Sequence, residues 1–267
     1  MVAKINLKGN IMEEKEILQD GTIIKFNEGN HQYTVIKGDE SYKPRSVTTI
    51  LKVAFDDFNI GAMAGRKNLR ETILENINLD KKYLKKEFEE FLKDTNKKAM
   101  QKWKDGANRG TDVHNWIQDY AGAIERPYSN DDSIAKLQKS AKDWFDSRVR
   151  KVYSVEKLVY NDLPRYAGKY DLEADVGDYG RCLIDYKTGS SMAYSQKYPI
   201  QLVGYMYAYL NQNPGNEFGR LIVFINRDTG DIEERYYSPK TYQRDLSIWL
   251  SIVNIHNYTI DYKNEWG

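Results

Sequence analysis

The residues best suited to chemistry lie in one short segment, Tyr170–Lys187. Its middle, Gly177–Gly180, is rich in turn formers, so the flanking segments predict an antiparallel hairpin centred near Asp178. That register places Asp171 opposite Asp185, because each lies seven positions from the centre. Two carboxylates directly opposite each other in a sheet repel. A divalent cation between them would reverse that effect, since Mg²⁺ and Mn²⁺ prefer hard oxygen ligands.

Lys187 adds a positive charge to this candidate site. Strand side chains alternate, so Lys187 emerges on the same face as Asp185, two residues before it. An ammonium there could orient a water and stabilise charge on a phosphate, which predicts metal-assisted phosphodiester hydrolysis. The alternative is a half-exposed hairpin with ordinary surface charges, and a slip of one residue would remove the pairing. The opposite face would carry the core side chains Leu172, Ala174, Val176, Cys182, Ile184 and Tyr186.

The elements around the hairpin predict a layered α/β structure in which helices cover a sheet. The pattern is strand, strand, strand, helix, strand, strand, helix. The corresponding segments are Val155–Tyr160, Ala167–Val176, Arg181–Thr188, Tyr198–Asn211, Arg220–Asn226, Ile232–Tyr237 and Thr241–Asn257.

The first half of the chain is expected to supply a hairpin and then helices. The first twenty residues lack clear periodicity and predict a loose arm. Strands at Thr22–Phe26 and His31–Ile36 flank a turn-forming sequence, and Ser46 is a candidate N-cap for a following helix. Helices are predicted further on, for instance over Leu84–Phe91 and Ala99–Tyr120. The expected organisation is one domain over 1–267, with a hairpin and helix (22–52), a helical segment (57–150) and an α/β core (153–260).

Composition excludes several classes of protein. The 267 residues carry 40 Lys and Arg against 39 Asp and Glu, and apolar runs fall far short of the ~20 residues of a membrane span. The start lacks a secretory signal, which predicts a cytoplasmic setting without a membrane. The single cysteine, Cys182, rules out an internal disulfide and a four-cysteine iron–sulfur cluster. The segment Lys81–Arg109 has ten basic and five acidic residues. This excess of positive charge predicts either a solvated helix face or a surface that faces phosphates.

Four motifs in order resemble those of a known enzyme family. Gly168–Asp171 and Ile184–Gly189 resemble the G-x-x-D and D-x-K motifs of the PD-(D/E)XK nuclease superfamily. Gln201–Tyr205 resembles the Q-x-x-x-Y motif of its RecB-like branch, and Arg109–His114 resembles that branch's G-T-x-x-H helix. Pro44–Leu51, after the early hairpin, is similar to the start of the mitochondrial genome maintenance exonuclease and related phage exonucleases.

The resemblance implies a fold and a set of site residues. The fold is α/β with a restriction-endonuclease-like core, a central mixed sheet flanked by helices, plus an N-terminal hairpin and a helical insertion. The implied metal ligands for Mg²⁺ or Mn²⁺ are His114, Asp171, Asp185 and the backbone carbonyl of Tyr186. The implied catalytic residues are Asp171, Asp185 and Lys187, with Glu156 and Gln201 in supporting or water-positioning roles. The implied DNA contacts are Ser46, Thr48, Lys102, Arg109, Thr111 and Tyr205, while Trp103 and Trp116 either stack bases or pack in the core.

The leading hypothesis is a metal-dependent DNA exonuclease that acts at ends, with single-stranded DNA as the favoured substrate. It would serve phage or cellular DNA replication, recombination or repair, beside a recombinase, polymerase or single-strand-binding protein. Many RecB-like relatives carry an iron–sulfur cluster, and one cysteine favours the cluster-free exonucleases. The alternatives are a structure- or sequence-specific endonuclease of the resolvase or restriction type, and a non-catalytic DNA-binding protein on a nuclease scaffold.

Overall fold

A computed structural model describes residues 3–7, 11–55, 69–78, 80–192 and 196–266. Side chains are described for these residues except 3–7, 11–13, 102, 103, 107 and 262–266. The chain divides into two compact units, one of Met1–Phe55 with His114–Gly267 and one of Asp56–Val113. The predicted domain and segment boundaries stay predictions. None of the described helices is long and apolar enough to cross a membrane.

The larger unit is built on a six-stranded mixed sheet. Its strands are β6 (Arg45–Ser46), β7 (Val149–Asp162), β8 (Arg165–Val176), β9 (Gly180–Gly189), β10 (Gly219–Asn226) and β11 (Ile232–Tyr237). The order across the sheet is β11-β10-β9-β8-β6, and β7 also pairs with β8. The β9–β10 and β6–β8 pairs are parallel, whereas the other pairs are antiparallel. The central mixed sheet that the sequence predicts is therefore confirmed.

Helices cover both faces of this sheet. The described part of the chain has the helices α1 (Val47–Leu51), α2 (69–76, in the smaller unit), α3 (Lys85–Ala121, which begins in the smaller unit), α4 (Asp132–Arg148), α5 (Lys197–Gln212) and α6 (Tyr242–Trp266). On β9, Asp185 contacts Gln201 of α5, while the next side chain, Tyr186, packs against Trp144 of α4. Successive strand residues point to opposite faces, so α4 and α5 lie on opposite sides of the sheet. The two helices predicted at Leu84–Phe91 and Ala99–Tyr120 are parts of one helix, α3.

The main core lies between the sheet and helices α1, α5 and α6. Its members from these helices include Val47, Leu202 and Trp249, which pack with Leu183 and Ile222 of the strands. Ser46 caps α1 as predicted, since its hydroxyl accepts the Thr49 amide at 3.0 Å. The core thus fixes β9 and α5, the two elements that carry the D-x-K and Q-x-x-x-Y motifs.

A second, five-stranded antiparallel sheet precedes α1. Its strands are β1 (Ala3–Leu7), β2 (Ile11–Ile17), β3 (Ile23–Asn27), β4 (Gln32–Lys37) and β5 (Glu40–Tyr42), in sequence order. The predicted hairpin is confirmed as β3 and β4, whose Phe26 and Tyr33 pair. The loose arm predicted for the first twenty residues is wrong, because β1 and β2 extend the sheet. The charged residues of β2 do not look like strand residues in the sequence. In the structure Glu14 and Glu16 are buried, 3.2 Å from Lys169 and 3.7 Å from Lys157 respectively.

The smaller unit contains α2 and the first part of α3. Lys98 donates to Asn76 at 2.9 Å, while Thr72 and Thr95 are buried. The lysines described in the basic stretch are exposed, for example Lys85 and Lys97 in α3. Whether that surface faces phosphates or only solvent stays an open prediction.

Candidate active site

The site begins where β8 changes its partner in the sheet. β8 pairs with β9 up to Leu172 opposite Ile184, and it pairs with β6 at Tyr166 and Ala167. Residues 168–171, which hold the G-x-x-D motif, lie between these two ladders. The β8–β9 register is centred on residue 178 as predicted, so the next aligned positions beyond the ladder are Asp171 and Asp185.

Glu156 lies at the same level on the other side of β8. Val155 pairs with Leu172 and Lys157 pairs with Tyr170, which aligns Glu156 with Asp171. Glu156 has a φ of 51°, in the left-handed region that non-glycine residues rarely adopt. Backbone strain of this kind concentrates at functional sites. Three carboxylates, one each from β7, β8 and β9, therefore occupy one level of the sheet.

His114 joins this row from α3. Its Nε2 lies 2.8 Å from Asp171 Oδ2, and its Nδ1 lies 2.6 Å from the Gln118 amide nitrogen. Gln118 also donates to Glu156 Oε1 at 2.5 Å. Sequence reasoning did not single out Gln118, although its position four residues after His114 places both on one helix face.

The donor set fits a hard divalent cation. One ligand atom from each of His114, Glu156 and Asp171 lies within 4.8 Å of the others. Two carboxylates and an imidazole suit Mg²⁺ or Mn²⁺. Glu156, predicted as a supporting residue, thus joins the group of candidate ligands.

Asp171 also holds the two diverging strands together. Its Oδ2 accepts the backbone amide of Tyr186 at 2.7 Å, at the point where the β8–β9 ladder has ended. The Tyr186 ring is buried, with Trp144 5.9 Å and His114 6.2 Å away between ring centroids. This confirms the prediction that the Tyr186 side chain packs in the core.

Asp185, Lys187 and Gln201 form a second contact group beside Asp171. Lys187 Nζ forms an ion pair with Asp185 Oδ2. Gln201 donates its amide to Asp185 Oδ1 at 3.3 Å and to the Tyr205 hydroxyl at 3.0 Å. Gln201 and Tyr205 therefore share one face of α5, as their spacing predicts.

A steric constraint explains why the G-x-x-D motif has glycine at position 168. A Cβ on Gly168 would lie 2.4 Å from Cε1 of Tyr205, well inside van der Waals contact. Tyr205 is buried by this packing, so it supports Gln201 and offers no surface to a ligand. The predicted contact between Tyr205 and DNA therefore needs correction.

Lys169 balances the charge of Glu156. Its Nζ contacts Glu156 Oε2 and lies 3.2 Å from Glu14 Oε2 on β2. Burial raises the pKa of Glu156 to about 7, against the opposing charge of Lys169. Neither Lys169 nor Glu14 was predicted from the sequence as part of the site.

Burial and ion pairing act in opposite directions on the other carboxylates. Burial raises the pKa of Asp185 to about 6, although the Lys187 charge opposes it. Burial would also raise the pKa of Asp171, but the charge and hydrogen bond of His114 hold that pKa below its usual value. Burial would lower the pKa of His114, but the charges of Asp171, Glu156 and Asp185 together raise it.

The other predicted DNA contacts lie in several places. Ser46 and Thr48 lie at the start of α1, with their hydroxyl oxygens 3.0 Å apart. Arg109 and Thr111 are exposed on the part of α3 that belongs to the smaller unit. The side chain of Lys102 is outside the described ones, as is that of Trp103.

A cleft of about 400 Å³ opens onto the metal-ligand group. It is lined by Glu28, His114, Asn115, Gln118, Asp119, Arg126, Glu156, Lys169 and Asp171. Its lining has four carboxylates beside Arg126, Lys169 and His114, so a bound cation would reduce the repulsion of an anionic ligand.

One comparison with known proteins identifies the family of the chain. The family model of the PD-(D/E)XK nuclease superfamily matches residues 82–261. No curated protein matches the chain. Among solved structures, a candidate exonuclease from Eubacterium rectale is similar at 14% identity and a TM-score of 0.34, over 55% of this chain and 68% of its own. That likeness is too weak to add to the assignment. Because the family model covers most of the chain, including all three strands that carry the carboxylates, the chain belongs to the PD-(D/E)XK nuclease superfamily.

Proposed function

We propose that this nuclease is a divalent-metal-dependent deoxyribonuclease that removes nucleotides from DNA ends, with single-stranded DNA as its preferred substrate. One observation carries the proposal: Glu156, Asp171 and Asp185 lie at one level of three adjoining strands, with His114 2.8 Å from Asp171. Such a concentration of buried carboxylates is costly unless cations compensate it.

Five groups would hold the metal ion. They are the side chains of His114, Glu156, Asp171 and Asp185, and the backbone carbonyl of Tyr186. When bound, Mg²⁺ or Mn²⁺ supplies Lewis-acid stabilisation of negative charge on the phosphate.

The remaining residues position the reactants. Lys187 is held by Asp185, and its ammonium orients the attacking water and stabilises the additional negative charge on the phosphate in the transition state. Gln201 orients Asp185 through a 3.3 Å hydrogen bond to Oδ1, whereas Lys187 contacts Oδ2. Gln118 connects His114 to Glu156 and so sets the orientation of both.

Action at ends is supported by the motif resemblance to the cluster-free exonucleases and by the single cysteine. In this proposal the basic surface of α3 tracks the DNA backbone. The role in replication, recombination or repair, and the recombinase, polymerase or single-strand-binding partners, follow from the same resemblance.

The test uses matched circular and linear single-stranded DNA with Mg²⁺ or Mn²⁺. The unaltered chain should release nucleotides from the linear strand and leave the circle intact. Asp185→Ala should lower the rate by at least about 100-fold. The control is Asp178→Ala, which changes an exposed aspartate in the turn of the same hairpin and should keep full activity.

Each other result has a definite meaning. Cleavage of the circle would identify an endonuclease. A chain that binds DNA with metal present yet releases no nucleotides over hours would be a binding protein. Full activity in Asp185→Ala would remove this site from the mechanism.

A further inference from the structure

An aromatic groove lies next to the cleft. It has a volume of about 350 Å³, and its lining includes Trp116, Tyr120, Ile124, Arg126, Tyr128 and Lys142. All of these residues belong to the larger unit. None of them was assigned a role in holding the metal or in the reaction.

Three rings in the groove form an ordered stack. Trp116 lies nearly parallel to Tyr120, at 7° and 5.3 Å between centroids, and to Tyr128, at 16° and 5.0 Å. The Trp116 indole N–H donates to the carbonyls of Arg126 and Pro127 at 3.1 and 3.2 Å. These bonds fix the segment that carries Tyr128, so the stack exists before any ligand arrives.

The stack ends in an exposed ring. Trp116 is buried, whereas Tyr128 is 44% exposed and the neighbouring Ile124 is 59% exposed. A partly exposed ring at the end of a stack suits another flat ring, because aromatic stacking contributes free energy beyond that of the buried area. An unpaired nucleic-acid base is such a ring, and every base has a π face.

The groove shares a lining residue with the cleft of the candidate active site. Arg126 lines both the groove and the cleft that holds Glu156 and Asp171. Lys142 lies over the Tyr120 ring at 5.1 Å on the groove's other border. Both cations are already paired, Arg126 with Asp119 and Lys142 with Asp146. Because aspartates already neutralise both cations, the aromatic surface is the main binding feature of the groove.

We infer that the aromatic groove is a base-binding subsite, in which an unpaired base of a single-stranded nucleic acid stacks on Tyr128 while the backbone runs past Arg126 into the cleft. This rests on the proposed function, since it is the nuclease site that brings a strand to the cleft. Bases in a duplex already stack on their own neighbours, so the subsite selects single strands. Stacking reads no hydrogen-bond pattern, so the subsite takes any base.

The test measures binding of a fluorescein-labelled, ten-nucleotide single strand by anisotropy. All variants are made in the full-length Asp185→Ala chain, so that the strand is bound but not cut. Tyr128→Ala should weaken binding about 10-fold, while Tyr128→Phe, which keeps the ring, should retain it. Tyr258→Ala, which removes an exposed tyrosine of α6, should leave the affinity unchanged. A blunt duplex should bind equally to all of these variants.

A second measurement changes the strand, so its main comparison holds even if Tyr128→Ala does not fold. A strand of the same length with abasic sites should bind the chain carrying Tyr128 about 10-fold more weakly than the normal strand does. In Tyr128→Ala, removal of the bases should not weaken binding further, because the ring on which the base stacks is already absent. Equal affinity for normal and abasic strands would overturn the inference.

The remaining outcomes separate this inference from the proposed function. If the unaltered chain has nuclease activity and Tyr128→Ala binds the strand as well as before, the subsite is wrong and the proposed function stands. Base-dependent binding without any metal-dependent cleavage leaves the subsite and removes the function. If Tyr128→Ala alters only the sedimentation of the free protein, the groove is a contact between copies of the chain, and the inference is wrong.

Discussion

His114 and Asp171 are joined directly, with Nε2 of the imidazole 2.8 Å from Oδ2 of the carboxylate. On the far side of the ring, Nδ1 lies 2.6 Å from the amide nitrogen of Gln118. An imidazole that binds a metal through one nitrogen is oriented by the partner of its other nitrogen. Gln118 is that partner, and it reaches Glu156 with the same amide.

The first prediction concerns this glutamine. Gln118→Ala should weaken Mn²⁺ binding about 10-fold or more, because His114 and Glu156 both lose the group that orients them. Isothermal titration with Mn²⁺ measures the change. Gln101→Ala is the matched control, since Gln101 also lies on α3 and hydrogen-bonds a carboxylate four residues on, at Asp105. Equal affinities in the two variants would show that Gln118 does not support the ligands.

The second prediction concerns Lys187. Lys187→Met should lower kcat by about 100-fold or more and change KM little, because the ammonium acts on charge that develops in the transition state. Steady-state release of nucleotides from linear single-stranded DNA gives both constants. Lys139→Met, at an exposed lysine of α4, is the control. A rise in KM alone would instead make Lys187 a substrate-binding residue.

Gly168 tests the packing beneath the site. Gly168→Ala should lower the free energy of unfolding by about 1–3 kcal/mol, because its methyl group would meet the Tyr205 ring. Activity should fall as well, since Tyr205 supports Gln201 and Gln201 holds Asp185. Urea denaturation measures the stability, and the control is Gly215→Ala, whose new Cβ would lie 3.9 Å from the carbonyl oxygen of Asn213. Unchanged stability would mean that the Tyr205 ring can move aside freely.

Glu234 gives a prediction about pH. Burial opposes ionisation of this carboxyl, yet the hydrogen bonds from Arg148 and Trp144 hold its pKa below the ordinary 4.5. A lowered folded-state pKa stabilises the fold above pH 4.5, and this contribution is lost as the pH falls through the folded value. Glu234→Gln should therefore cost about 1–3 kcal/mol at neutral pH and progressively less below 4.5.

Urea titrations across this pH range provide the measurement. Glu233→Gln, at the exposed neighbouring position, serves as the control and should cost little at any pH. A difference between Glu234→Gln and the unaltered chain that does not shrink in acid would contradict the assigned cause.

Cys182 provides a fifth prediction. Burial raises the pKa of its thiol to about 12, and the side chain has no accessible surface. A thiolate is the reactive form, so disulfide reagents should not modify the folded chain. One thiol per chain should react once denaturant is added. Rapid modification under native conditions would mean that β9 opens readily.

Much of the site was predictable because its signals are local or symmetric. The turn between β8 and β9 is symmetric about residue 178, so the strand register follows from counting. The spacing of Gln201 and Tyr205 likewise predicts a shared helix face. Each of these patterns depends on a few neighbouring residues, which is why single-sequence reasoning recovers it.

The parts that were missed depend on contacts between distant residues. β2 carries Glu14 and Glu16 toward the interior, where Lys169 and Lys157 neutralise them from far along the chain. Alternation of charge alone reads as a solvated arm, so the strand could not be predicted without its partners. The left-handed backbone of Glu156 has no sequence signal either, because glutamate does not favour that conformation.

The hydrogen bond from the Tyr186 amide to Asp171 has an evolutionary consequence. In the proposed mechanism Asp171 has two roles, as a carboxylate in the chemistry and as the acceptor that joins two diverging strands of the fold. A descendant that lost catalysis would be released from selection on Lys187 and Glu156 but not from the need for an acceptor at position 171. We therefore expect inactive descendants to carry asparagine there in preference to alanine, because asparagine keeps the acceptor that the fold requires.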